Sequence, residues 1–150
     1  LSIRRQRQMC IRDRYRNDME GGQTNEFRPL ILVAEDDDSN FKLIKAIIGK
    51  KCDIQWAKNG EEIVALFKEY GNEAKAILMD IKMPVMNGLD ATKIIRGENK
   101  EIPIIMQTAY AFSSDKENAM NAGASEVLVK PITLSILRNT LTKYFPELVW

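Results

Sequence analysis

Short apolar runs alternate with longer segments of mixed polarity from residue 30 onward. The apolar runs predict five strands, at residues 30–34, 53–56, 76–79, 102–106 and 127–129. Most of these runs are continuous rather than alternating in polarity, which is typical of strands buried on both faces of a parallel sheet. The third run stops at Asp80, and the fourth is entered through Pro103.

Between the strands, apolar residues recur at the three- and four-residue spacing of amphipathic helices. The clearest sets are Phe41, Ile44, Ile47 and Ile48; Ile63, Leu66, Phe67 and Tyr70; and Leu134, Leu137 and Leu141. Two further helices are predicted at 89–96, with Ile94 and Ile95 facing inward, and at 113–122. The second of these offers only a few apolar contacts, namely Ala119, Met120 and Ala122.

Five strands that alternate with five helices predict an α/β fold, in which a doubly wound parallel sheet is covered by helices on both faces. We assign this domain to residues 29–146, a length that leaves no room for a second domain. Residues 1–28 lack apolar periodicity and are expected to be a disordered lead-in, flexible around Gly21-Gly22.

The first 18 residues look foreign to the domain that follows. The stretch Met9-Cys10-Ile11-Arg12-Asp13-Arg14 can be back-translated into a DNA sequence that resembles the transposase end used in sequencing-library adapters. We therefore hypothesise that residues 1–18 are translated adapter, against the alternative of a basic arm that binds anionic partners. Adapter-free resequencing of the parent DNA would contradict the hypothesis if the same codons persisted.

Composition excludes several classes of function. The formal net charge is +1, but residues 1–20 hold six arginines and three acidic residues, and the remainder has 16 basic and 18 acidic side chains. The domain therefore has no basic excess to suggest contact with nucleic acid. No apolar run is long enough to cross a membrane, and two cysteines, Cys10 and Cys52, give no disulfide framework, so we expect a cytoplasmic protein.

Polar residues with chemical potential follow four of the five predicted strands. They are Glu35-Asp36-Asp37-Asp38 after the first strand, Asp80 after the third, Thr108 after the fourth and Lys130-Pro131 after the fifth. In a doubly wound sheet, functional groups collect at the carboxyl ends of the strands. We therefore expect carboxylates, a hydroxyl and an ammonium group to meet at one edge.

Such a group of carboxylates favours a bound cation. Two carboxylates about 4 Å apart repel each other by about 4 kcal/mol at an effective dielectric constant of about 20. Mg²⁺ would relieve this repulsion and would neutralise an entering phosphoryl group, with Lys130 supplying a second positive charge. Asp80 is then a candidate nucleophile that forms an acyl phosphate, and Thr108 a candidate hydrogen-bond donor to it.

Each of these residues also has a simpler interpretation. Asp38 and Ser39 are expected to be a helix N-cap or part of a solvated loop. Thr108 alone could be an ordinary strand hydroxyl, and Lys130 alone a surface charge. A calcium-binding loop starting at Asp36 is excluded, because its glycine position is occupied by Phe41 and its final acidic position by Ile47. The joint placement at four strand ends is what favours a functional site.

Four stretches resemble the signature segments of response-regulator receiver domains in two-component systems. They are ILVAEDDDSN, ILMDIKMPVMNG, IIMQTA and VLVKPI, in the family's order and spacing, and the match covers about residues 30–145. The first stretch, with its Glu-Asp pair, is most similar to receivers of hybrid sensor histidine kinases. The resemblance implies a flavodoxin-like fold with strand order 2-1-3-4-5.

The resemblance also implies a role for each site residue. Asp80 would be the phosphoacceptor, and Glu35, Asp36, Asp80 and the backbone carbonyl of Lys82 would bind Mg²⁺. Thr108 would be the switch hydroxyl, and Lys130 would contact the phosphoryl group. Phosphorylation is then expected to shift the face formed by the fourth helix, the fifth strand and the fifth helix.

One position near this site departs from the family, and two others border the site. Val127 stands where many receivers have a Tyr or Phe three residues before the lysine, so an aromatic switch there is absent. Lys82 and Tyr110 border the site and could influence hydrolysis of the acyl phosphate, although both could equally be ordinary surface residues.

Other functions remain as alternatives. A phosphohydrolase with an aspartyl-phosphate intermediate would have an acid two residues after the nucleophile, where this chain has Lys82. A flavodoxin-like cofactor binder would not have four consecutive acidic residues where a phosphate should bind. A receiver-like docking module that is never phosphorylated is the main alternative.

The source of the phosphoryl group must be another protein or another segment. The chain has no histidine, so it cannot supply its own phosphohistidine. We expect the donor to be a sensor histidine kinase or a histidine phosphotransfer protein. We do not expect the chain to be an enzyme in its own right, beyond assisting its own phosphotransfer and dephosphorylation.

Overall fold

The computed structural model of the chain describes residues 26–110 and 114–150. The hypothesis that residues 1–18 are translated adapter, and the predicted disorder of the lead-in up to residue 25, lie outside the described residues. So does Ser113, the first residue of the predicted fourth helix.

Strands and helices alternate along the described chain. The strands are β1 (Leu30–Ala34), β2 (Asp53–Ala57), β3 (Ala74–Asp80), β4 (Ile104–Thr108) and β5 (Glu126–Val129). The helices are α1 (Asp38–Ile48), α2 (Gly60–Tyr70), α3 (Gly88–Glu98), α4 (Ser114–Ala122) and α5 (Leu134–Tyr144). The strands form one sheet in the order β2-β1-β3-β4-β5, and all neighbouring strands are parallel. The predicted α/β fold and its strand order are confirmed.

The sheet separates two hydrophobic cores. Successive residues of β1 are buried on opposite faces, with Leu32 in one core and Val33 in the other. The first core is completed by α2, α3 and α4, and the second by α1 and α5. Because all five residues of β1 are buried, the strand reads as a continuous apolar run.

Two residues that were predicted to face inward do not. Ile94 in α3 is 41% exposed, whereas the neighbouring Ile95 is fully buried. Met120 in α4 is 49% exposed, whereas Ala119 is fully buried. One residue along a helix corresponds to a rotation of about 100°, so only one of two consecutive apolar residues points at the sheet. The prediction was wrong at Ile94 and Met120 for that reason.

Residues on either side of the range 29–146 contact the folded unit. The Arg28 guanidinium donates hydrogen bonds to the carbonyls of Gly49, Lys50 and Cys52, which follow α1. At the other end Trp150 donates from its indole to the Thr142 hydroxyl, at 3.0 Å.

Among residues 26–110 and 114–150, no helix is both long and apolar enough to cross a membrane.

Candidate functional site

Four strands deliver polar side chains to the carboxyl edge of the sheet. Asp80 is the last residue of the central strand β3, and Thr108 is the last residue of β4 beside it. Glu35 follows β1 on the other side of β3, and Lys130 follows β5. The amide of Lys130 donates to the Thr108 carbonyl at 2.7 Å, which continues the pairing of β4 and β5 to the edge. The expected convergence of these strand ends is present.

Three carboxylates form a cluster suited to a metal ion. Glu35, Asp36 and Asp80 each place one carboxylate oxygen within 4.8 Å of the others. Glu35 and Asp80 are buried, with 0% and 6% exposure, while Asp36 is exposed to solvent. The buried oxygen Oε2 of Glu35 has no hydrogen-bond partner among the described residues. An all-oxygen donor set in which one buried oxygen makes no hydrogen bond, and one carboxylate is open to solvent, fits a hard divalent cation.

Lys130 connects the two buried carboxylates. Its Nζ lies 2.9 Å from Asp80 Oδ2 and 3.5 Å from Glu35 Oε2. Burial alone would lower the pKa of Lys130, but the hydrogen bond and charge of Asp80, together with Glu35, outweigh it and raise the pKa. The ammonium group is therefore held charged against the carboxylates.

The same surroundings favour the neutral form of Glu35. Burial and the nearby Asp80 charge raise the pKa of Glu35 to about 7, although Lys130 and the amide of Asp37 favour its ionised form. Glu35 therefore takes up a proton more readily than an exposed glutamate would. A cation at the cluster would favour its ionised form.

The acidic loop ends at a helix cap that differs from the prediction. Asp37, not Asp38 or Ser39, is the N-cap of α1, and its side chain accepts a hydrogen bond from the Asn40 amide at 2.9 Å. The Asp37 amide in turn donates to Glu35 Oε1, at 3.2 Å. Asp38 is the first residue of the helix because the chain turns into the helix one residue earlier than expected. Asp37 thus anchors both the helix and the buried acid.

The loop between β3 and α3 packs directly under Asp80. The amide of Gly88 donates to the Ile81 carbonyl at 2.8 Å, and a Cβ at Gly88 would lie 2.2 Å from the Asp80 carbonyl oxygen. Only glycine permits this approach. Val85, at the tip of the loop, has φ +68° and is 73% exposed. A β-branched residue rarely adopts this left-handed conformation, so the rest of the loop must hold it there.

On the β4 side, Thr108 is buried and two larger side chains lie further out. The Tyr110 amide donates to the Thr108 hydroxyl oxygen at 3.2 Å. The ammonium group of Lys82 lies 4.6 Å from the centroid of the Tyr110 ring, and both side chains are exposed. The peptide bond between Lys130 and Pro131 is cis.

Val127 takes the place of the aromatic residue that many receivers have three residues before the lysine. Its side chain packs against the first core.

Trp56 also lies at this edge, and the sequence did not predict its place there. Its indole Nε1 donates a hydrogen bond to the backbone carbonyl of Glu35 at 2.8 Å. The contact depends on the register of β2 against β1, which pairs Trp56 with Val33. The sequence offered one signal, an aromatic residue at the end of a strand, but nothing in it places the indole beside the acidic loop.

The chain matches the response regulator receiver domain family over residues 31–142. It is 38% identical over 129 residues to hybrid signal transduction histidine kinase I of Dictyostelium discoideum. That match includes 78% of this chain but only 7% of the kinase, so the chain corresponds to a small part of such a protein.

Two solved structures are similar over most of the chain. One is the receiver domain of a sensor histidine kinase from Pseudomonas aeruginosa PAO1, with a magnesium ion coordinated in its active-site cleft. It is 32% identical, has a TM-score of 0.72, and the match covers 79% of this chain and 98% of that one. The other is the receiver domain of a Saccharomyces cerevisiae response regulator in complex with a histidine phosphotransfer protein. It is 28% identical, with a TM-score of 0.73 and coverage of 81% and 93%.

Proposed function

The chain belongs to the response regulator receiver domain family, and from that premise we propose that Asp80 accepts a phosphoryl group from a phosphohistidine in two-component signalling. The observation that supports this most directly is the position of the Asp80 carboxylate. It ends the central strand, lies 2.9 Å from the Lys130 ammonium group and shares the acidic cluster with Glu35 and Asp36.

In the proposed reaction, a carboxylate oxygen of Asp80 attacks the phosphorus atom of the donor phosphohistidine. A P–O bond forms while the P–N bond breaks, and the imidazole leaves with the electron pair and takes up a proton. Lys130, already charged and in contact with Asp80, would stabilise the negative charge on the phosphoryl oxygens. Thr108 would then donate its hydroxyl hydrogen to one of these oxygens.

We propose that the cation of this site is Mg²⁺, held by Glu35, Asp36, Asp80 and the backbone carbonyl of Lys82. The magnesium ion in the similar Pseudomonas receiver supports this choice, as does the clustering of three carboxylates here. When bound, Mg²⁺ would screen the repulsion between the carboxylates and the incoming phosphoryl oxygens.

We propose a sensor histidine kinase or a histidine phosphotransfer protein as the donor. The chain contains no histidine, and the similar yeast receiver was solved with a histidine phosphotransfer protein. A cytoplasmic location, and a domain surface that does not contact nucleic acid, complete the proposal. The chain would not be an enzyme beyond assisting its own phosphorylation and dephosphorylation, a process that the exposed Lys82 and Tyr110 would influence.

The proposed output surface is the face formed by α4, β5 and α5. Each of these elements exposes a large apolar side chain to solvent: Met120, Val129 and Leu134. The helix α4 buries only Ala119 and Ala122, both small, so little apolar contact holds it against the sheet. Phosphorylation of Asp80 would change the affinity of this face for a partner by drawing Thr108 and Lys130 toward the phosphoryl group.

Intact mass spectrometry tests the phosphoacceptor. The full chain should gain the mass of one phosphoryl group with acetyl phosphate and Mg²⁺, and should not gain it without Mg²⁺ or as Asp80→Asn. Asp90→Asn is the matched control, because Asp90 is an exposed acid in the first turn of α3 and should leave the gain unchanged.

If acetyl phosphate does not phosphorylate the chain, the experiment is repeated with a second phosphoryl donor. A purified phosphorylated histidine phosphotransfer protein supplies it, because some receivers could require a protein donor. No transfer from either donor would contradict the proposal and favour the unphosphorylated docking module.

A further inference from the structure

The backbone of Glu35 is held from outside the acidic site by the end of β2. Its amide donates to the Ala57 carbonyl at 3.0 Å, and its carbonyl accepts from the Trp56 indole at 2.8 Å. Both backbone groups of this buried acid are therefore paired with one neighbouring strand. The second of these hydrogen bonds comes from a side chain, the Trp56 indole, because β1 has already ended at Ala34.

The indole is itself fixed against the helix that follows the acidic loop. The rings of Trp56 and Phe41 stack with centroids 4.0 Å apart and an interplanar angle of 1°. Phe41 lies in the first turn of α1, and its amide donates to the carbonyl of Asp37, the cap of that helix. Trp56 thus contacts the acidic loop where it begins, at Glu35, and the helix where the loop ends.

A third contact closes this arrangement on the solvent side. The ammonium group of Lys58 lies 4.8 Å from the centroid of the Trp56 ring and 3.6 Å from a carboxylate oxygen of Asp38. Both Phe41 and Trp56 are half-buried, and Phe41 also packs against the second core, so the stack joins that core to the acidic loop. The side chain of Trp56 carries no metal-binding atom and would not touch a cation at the carboxylates.

We propose that Trp56 is a positioning residue for the cation site: by fixing the Glu35 carbonyl and the start of α1, it sets the positions of the Glu35 and Asp36 carboxylates. The proposal rests on the proposed function of the acidic cluster as a Mg²⁺ site. Groups that orient metal ligands without touching the metal change its affinity by about 10- to 100-fold when they are removed. A loop carrying two of three carboxylate ligands is where such an effect should be large.

Isothermal titration of the full chain with MgCl₂ tests the proposal. Trp56→Phe removes the indole N–H and retains a ring that can stack on Phe41, and it should raise the Kd for Mg²⁺ about tenfold. Trp150→Phe is the matched control, because Trp150 also donates an indole hydrogen bond, to Thr142, but lies away from the site. It should bind Mg²⁺ with the wild-type Kd.

Thermal unfolding without Mg²⁺ separates positioning from general stabilisation. Each variant loses one hydrogen bond and should show a similar decrease in Tm, of about 2–4 °C. If Trp56 were merely structural, Trp56→Phe would lower Tm and leave the Kd unchanged. A wild-type Kd in Trp56→Phe therefore overturns the proposal.

A second variant serves if Trp56→Phe fails to fold. Phe41→Leu keeps the indole N–H and removes the ring stacked on it, so the Kd should rise, though by less. An unchanged Kd in Phe41→Leu overturns the proposal in that case. Asp36→Asn identifies the site in the wild-type background: if it leaves Mg²⁺ binding intact, the proposed Mg²⁺ site fails, and the role of Trp56 fails with it. Loss of binding in Asp36→Asn with a wild-type Kd in the Trp56 variant refutes only the positioning role.

Discussion

Glu35 should make the stability of the metal-free protein fall as the pH rises. Its pKa is raised from an ordinary 4.5 to about 7, mainly by burial and then by Asp80. Between these values the folded protein retains a proton that the unfolded chain has released, so this stabilisation is complete below about pH 4.5 and is lost as the pH passes 7. The loss should be on the order of 3 kcal/mol. Urea unfolding at several pH values with EDTA measures it.

The control for this prediction is Glu35→Gln, which cannot ionise. Its free energy of unfolding should vary much less between pH 5 and 8 than that of the wild type. Glu26 does not interfere, because its hydrogen bond to Lys51 lowers its pKa and it titrates below this window. Equal pH dependence in the wild type and in Glu35→Gln would show that another group is responsible.

The positions of individual site residues were largely predictable from the sequence. Asp80 ends β3, Glu35 follows β1 and Lys130 follows β5, and parallel strands bring their carboxyl ends to one edge whatever the side chains do. The role of Trp56 was not predictable in this way. Its contact with the Glu35 carbonyl depends on which residue of β1 it pairs with, and strand register is a property of the assembled sheet.

At the scale of the elements, the junction between β3 and α3 should tolerate no side chain at Gly88. A Cβ there would lie 2.2 Å from the Asp80 carbonyl oxygen and 2.9 Å from the Met79 side chain. Gly88→Ala must therefore shift the start of α3 or the end of β3, and we expect it to cost about 2 kcal/mol or more of stability. Chemical denaturation of the full chain measures this loss.

Gly97 provides the control from the same helix. A Cβ at Gly97 would have no atom within 4 Å, so Gly97→Ala should stabilise the protein by about 0.5–1 kcal/mol through its higher helix propensity. If Gly88→Ala were as stable as Gly97→Ala, the close packing of the loop against Asp80 would be refuted.

The elements themselves were predictable, but their rotation was less so. Continuous apolar runs identified the strands because both faces of the sheet are covered. In α3 the buried stripe includes Ala91 and Ile95 but not Ile94, and in α4 it includes Ala119 but not Met120. Apolar character alone does not tell which of two neighbouring residues faces the sheet, because one residue turns the helix by about 100° and its rotation is set by packing.

At the scale of the whole molecule, the response to phosphorylation should be uneven along α4. Its C-terminal end is tied to α3 by Arg96, which donates to the Gly123 carbonyl at 2.7 Å and to the Ser125 hydroxyl oxygen at 3.2 Å. Ser125 also accepts from the Ile104 amide at the start of β4, so this end is joined to the sheet edge opposite the acidic site. The two residues that α4 buries, Ala119 and Ala122, also lie in its second half, next to this anchor.

Amide hydrogen exchange with and without acetyl phosphate and Mg²⁺ tests this unevenness. Exchange should change more at residues 114–118 than at residues 119–122, because the Arg96 contacts hold the second half in both states. No change is expected in α2, which packs over β1 and β2 away from β5. The Asp80→Asn variant should show no change anywhere. Arg96→Ala should extend the response to the C-terminal end of α4, since the restraint is then gone. A uniform change along α4 in the wild type would contradict the anchor, and no change anywhere would contradict the proposed output face.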